Sequence, residues 1–82
     1  MGNRVVYRVK WSDSFQKWVH TGVRGARLGN YGDKARAVRE ARLFARATWT
    51  EAGTLCQLVV HGKNGRIQYE HTYGRDPRRH KG

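Results

Sequence analysis

The chain has 82 residues, 38% of them hydrophobic, with 17 Lys and Arg against six Asp and Glu and a formal net charge of +11 at pH 7. That length allows one domain with a modest core, and no apolar run approaches the roughly 20 residues of a membrane span. Self-repulsion on this scale works against a small compact fold, so the composition points to an anionic partner, with nucleic acid the first suspect.

From Arg4 to Trp11 the residues alternate, Val5, Tyr7, Val9 and Trp11 on one side and Arg4, Arg8 and Lys10 on the other. Period-two alternation marks a half-buried strand. Ser12-Asp13-Ser14 has turn chemistry, because short polar side chains bond nearby backbone. A second strand is predicted from Gln16 to about Val23, with a facing that Trp18 and Val19 leave open because their parity differs. Gly22, Gly25, Gly29, Asn30 and Gly32 then read as a loose loop.

Asp33 is the predicted N-cap of a helix from Lys34 to about Thr50, a segment rich in Ala and Arg, both strong helix formers. At 100° per residue Val38, Ala41, Ala45 and Trp49 share a core stripe, edged by Ala37, Phe44 and Thr48. Arg36, Arg39, Arg42 and Arg46 fall in a neighbouring arc of about 120°, and Leu43 lies within it. Gly53 is the expected breaker. Leu55 to His61, Asn64-Gly65, and Arg66 to Tyr73 form a hairpin pattern. A two-residue turn pairs Gly62 with Ile67, Val60 with Tyr69 and Leu58 with His71, leaving Lys63, Arg66, His61, Gln68 and Glu70 on the other face. The expected architecture is a two-layer α+β domain over residues 1–74, ββαββ in order, with a four-stranded antiparallel sheet packed on one helix. Residues 75–82 form a basic tail with no apolar anchor.

Val60-His61-Gly62, Gly65-Arg66-Ile67-Gln68, Thr72-Tyr73-Gly74, Asp76-Pro77 and the final Lys81-Gly82 together resemble the C-terminal pattern of a small bacterial and phage family known as a domain of unknown function. Trp18 and the Ala41–Ala45 region match its early Trp-containing strand and its Ala/Arg-rich helix. The likeness departs in the longer N-terminal hairpin and in the Arg-rich stretch after Pro77. It implies a bacterial or phage context and no particular activity. A single cysteine, Cys56, and an N-terminus without a secretory pattern favour a reducing, cytoplasmic location.

Catalysis needs paired carboxylates, or a nucleophile beside a base. Asp13, Asp33, Glu40, Glu51, Glu70 and Asp76 are scattered, and Cys56 reads as a small buried hydrophobe. His20, His61, His71 and His80 lack metal-ligand spacing. The expectation is a protein without catalytic, metal or cofactor site.

Three basic surfaces remain. The helix row Arg36, Arg39, Arg42 and Arg46 is interrupted only by Glu40, whereas an ordinary solvated face mixes signs. The sheet face offers Arg4, Arg8 and Lys10, joined in the predicted register by Lys63, Arg66 and Gln68. The tail carries Arg75, Arg78, Arg79 and Lys81. The leading expectation is a nucleic-acid-binding protein, DNA rather than RNA, acting through Arg and Lys contacts to phosphate. The alternative is a basic phage-like protein that docks on an acidic host protein with Leu43 as its apolar anchor. Oligomeric state is left open.

Overall fold

The alternation at Val5, Tyr7, Val9 and Trp11 becomes β1 (Val5–Ser12), which lies at the centre of the sheet. The computed structural model describes residues 4–74. Around β1 it arranges β2 (Lys17–Thr21), β3 (Arg27–Tyr31), α1 (Lys34–Ala52), β4 (Cys56–His61) and β5 (Ile67–Tyr73), with a short 3₁₀ turn at Val23–Gly25. The fold is α+β, with one helix on a five-stranded mixed sheet of order β3-β2-β1-β4-β5.

This corrects the expected four-stranded antiparallel sheet in two respects. The stretch taken for a loop contains β3, which pairs antiparallel with β2 through Trp18↔Tyr31 and His20↔Gly29. Its five residues are all exposed or half-buried, so no apolar alternation announces it. Pairing with β2 makes this segment a strand, and local propensity contributes little. Second, β1 and β4 run parallel, with Val5↔Cys56, Tyr7↔Leu58 and Val9↔Val60 in register. The β1–β2 hairpin extends into β3 before the helix crosses the sheet, and that crossover brings β4 alongside β1 in the same direction.

The helix stripe is centred on Ala37, Ala41 and Ala45, each fully buried. Three methyl groups let α1 approach closely, and the sheet supplies the bulk through Tyr7, Val9, Trp18, Cys56, Leu58 and Val60. Val38 and Trp49 lie at the margin of this cluster, as do Trp11, Tyr31, Tyr69 and Tyr73. Asp33 holds the N-cap position but its side chain makes no capping bond; its backbone carbonyl accepts from Ala37 N at 3.1 Å. Gly53 closes the helix in the left-handed conformation, as expected. Cys56 is fully buried and its Sγ donates to the Ala45 carbonyl at 3.0 Å. Burial pushes that thiol's pKa up, which suits a packing residue rather than a nucleophile.

The C-terminal hairpin keeps two of the three expected pairs, Val60↔Tyr69 and Leu58↔His71. Ile67, however, opposes His61 rather than Gly62, because the register shifts at Val60/His61. The loop is one residue longer than Asn64-Gly65 alone: Gly65 N donates to Gly62 O at 3.0 Å and Gly62 N to Arg66 O at 2.9 Å. Gly65 sits at φ 87°, where a side chain is strained. The geometry of this turn accounts for the spacing of Gly62 and Gly65.

Candidate nucleic-acid interface

Register assigns every sheet residue to a face. One row, Val5, Tyr7, Val9, Trp18, His20, Leu58 and Val60, faces the helix; the other, with Arg8, Lys10, Val19, Thr21, Gln57, Val59, His61, Glu70 and Thr72, has no layer over it among the described residues. Val19 and Val59 are nonetheless only 7% and 4% exposed on that uncovered face. They pair with Lys10 and Arg8 respectively. Long basic side chains shield apolar neighbours with their methylene stems and keep their charged ends in water.

Arg8 is the centre of this face, in register with Thr21 on one side and Val59 on the other. Its Nη1 lies 3.1 Å from His61 Nε2, and His61 Nδ1 lies 3.0 Å from the Gly65 carbonyl. Arg8 has only hydrogens to offer, so Nε2 accepts and Nδ1 carries the proton that goes to Gly65. Arg4 donates to Gln57 Oε1 at 3.5 Å, and Gln57 in turn donates to Glu70 Oε1 at 2.8 Å. Beside these residues a hollow of about 640 Å³ is lined by Arg4, Arg8, Lys10, Thr21 and the Gly22–Gly25 loop, including Arg24.

Arg24 was hidden in the sequence because its surroundings read as featureless loop. It adopts φ 56° and ψ 27°, a conformation uncommon for a residue with a side chain. Three backbone bonds close the loop around it: Gly25 N to Gly22 O at 3.0 Å, Ala26 N to Val23 O at 3.0 Å and Gly22 N to Ala26 O at 2.8 Å. The available signal was the spacing of Gly22 and Gly25 around a basic residue.

Lys63 and Gln68 do not join Arg4, Arg8 and Lys10. Lys63 Nζ lies over the Trp11 ring, 4.1 Å from its centroid, and Gln68 accepts from Lys34. Both therefore lie toward the helix layer, because the longer turn and its bulge break the simple alternation. Arg66 sits exposed at the hairpin tip. Arg75, Arg78 and Arg79 lie outside the described residues.

The helix row stands on the other side of the molecule. Arg36, Arg39, Arg42 and Arg46 are all exposed, as is Leu43 between them at 53%. Arg42 Nη2 donates to Tyr69 OH at 3.0 Å, and that hydrogen bond holds its guanidinium still more firmly protonated. Lys34, Ala35, Val38, Arg39 and Arg42 line a hollow of about 570 Å³ on this flank.

A common feature links the two surfaces. Arg4, Arg8, Lys34 and Arg42 all bond to uncharged partners, namely Gln57, His61, Gln68 and Tyr69. Such bonds orient a cation without neutralising it, so its field is left for an external anion. Among the described residues no group of three or more His, Cys, Asp or Glu is placed to hold a metal ion, and no helix is long and apolar enough to cross a membrane. The fold and its two faces define a small α+β protein with two oriented basic surfaces, the sheet face also carrying the Glu70 carboxylate. No protein-family model, no curated protein and no solved structure matches the chain.

Proposed function

We propose that this protein binds DNA without catalysing a reaction, and that the uncovered sheet face is its principal contact. The observation that carries the reading is the convergence of Arg4, Arg8, Lys10 and Arg24 on one hollow. The two of them with hydrogen-bonded side chains have only neutral partners, Gln57 and His61. Phosphate oxygens are the natural complement of guanidinium groups held in this way.

The makeup of the face favours duplex backbone over single strands. Sequence-tolerant single-strand binding relies on aromatic rings as stacking platforms. The large aromatics Tyr7, Trp11 and Trp18 belong instead to the helix-facing rows. Contacts to phosphate alone set position and affinity without reading bases.

Fluorescence anisotropy of labelled duplex, titrated across a salt series, tests the reading. Four phosphate contacts give a log–log slope of about −3.6, which is about a 150-fold loss of affinity between 50 and 200 mM salt. Binding that is weak at low salt, or flat across the series, refutes it.

The second reading, an acidic protein partner, is favoured by Leu43, exposed amid the helix arginines. Leu43→Asp separates the two: it abolishes capture of such a partner and weakens duplex binding only mildly.

A further inference from the structure

We infer that one chain carries two separate DNA-binding faces and bridges two duplex segments. The inference rests on the duplex reading above and extends it to the opposite side of the molecule. Ala37, Ala41 and Ala45 are buried against the sheet, so Arg36, Arg39 and Arg46 project away from it, while Arg42 lies on the flank and reaches Tyr69 of β5. Arg8 and Lys10 project from the other side of the same sheet. A helix about 10–12 Å across lies between the two sets of charges. A duplex lying along one face therefore leaves the other open to solvent.

The helix side has the features of a second site rather than a merely solvated surface. Its charges are segregated: by helical rotation Arg42, Arg46, Arg39 and Arg36 occupy one arc, while Glu40 and Glu51 fall beyond it on the Phe44 flank. From Arg36 to Arg46 the row runs for about 15 Å along the axis at 1.5 Å per residue. Phosphates recur every 3.4 Å or so along each strand of a duplex, so a row of that length meets several. Beside it lies the hollow lined by Lys34, Val38, Arg39 and Arg42. Tyr69 and Gln68 of β5 accept hydrogen bonds from Arg42 and Lys34 without bringing a negative charge. The second ligand is thus another polyanionic backbone, the same chemistry that the sheet face takes.

Bridging is read by fixing one duplex to beads and measuring capture of a second, fluorescent duplex. The unaltered chain is compared with a helix-face variant, Arg36→Ala, Arg39→Ala and Arg46→Ala together, and a sheet-face variant, Arg4→Ala with Lys10→Ala. The helix substitutions lie at exposed positions and introduce the strongest helix former; circular dichroism confirms that both variants are folded. Arg75, Arg78, Arg79 and Lys81 are present in every protein compared, so differences report the two faces. The expected result is capture by the unaltered chain and loss of capture by each variant, while each still raises the anisotropy of a single labelled duplex. A helix-face variant that captures as well as the unaltered chain overturns the inference, because chains that each hold a duplex on the sheet face and associate through another surface would do that. Duplex binding without capture at any protein-to-DNA ratio also overturns it and leaves the duplex reading standing. Absence of duplex binding at low salt removes both.

Discussion

His20 is fully buried, and neither ring nitrogen has a hydrogen-bond partner among the described residues. It packs between Tyr7, at 5.8 Å between ring centroids, and Phe44, at 5.1 Å. Burial lowers its pKa, with Glu40 offsetting part of the effect. The folded chain therefore disfavours the imidazolium that the unfolded chain forms near pH 6.5. Its contribution to stability is complete above that value and is lost progressively as pH falls below it, because the unfolded state then takes up the proton first. The loss at pH 5.5 is at most about 1.4 kcal/mol, the limit in which the folded state takes up no proton. For a domain of this size that lowers the melting temperature by up to about 6–11 °C. His20→Leu keeps comparable apolar bulk and has no proton to bind. Thermal melts of both proteins at pH 7 and pH 5.5 should show this extra drop in the unaltered chain alone. Parallel drops in the two proteins would refute the assignment, and the remaining pH dependence would belong to other groups.

Arg8→Gln should reduce the salt slope of duplex binding by about 0.9 and weaken all sequences alike; an unchanged slope would show that Arg8 meets no phosphate. Arg8→Ala should in addition lower stability, since Val59 and Thr21 flank it on the uncovered face; chemical denaturation of the two variants separates the effects. Gly74→Ala puts a methyl group 2.5 Å from Trp49 Cε3 and 2.8 Å from Leu55 Cδ2, at φ 94°. Strain and overpacking together should cost on the order of 2–4 kcal/mol, read from the shift in denaturant midpoint. Cys56, buried with its thiol bonded to Ala45, should resist alkylation in the native protein and react fully in denaturant; rapid native labelling would mean that α1 lifts from β4.

The strongly periodic segments were legible in advance. The alternation of β1 and the part of the α1 stripe that runs through Ala41 and Ala45 each bury a face, and burial of a face leaves a period in the sequence; the stripe itself is centred one position back, on Ala37 rather than Val38. The arginine row of α1 was legible for the same reason, because helical rotation fixes which residues are neighbours. The basic balance of 17 to six raised the expectation of an anionic partner.

The tertiary structure decided the rest. β3 is an edge strand with no buried residue, so its existence depends on the hydrogen bonds of β2 and not on its own apolar pattern. Parallel pairing of β1 and β4 was foreshadowed only by the buried run Leu58-Val59-Val60, since a strand shielded on both faces loses its alternation. The bulge at Val60/His61 turned Lys63 and Gln68 toward Trp11 and Lys34, away from the face their parity predicts. Arg24 reached the sheet-face hollow through a left-handed turn that the surrounding glycines permit without specifying. Composition and period come from the residues one at a time. Which charges share a surface depends on strand order and register, and those are set by contacts between segments far apart in the chain.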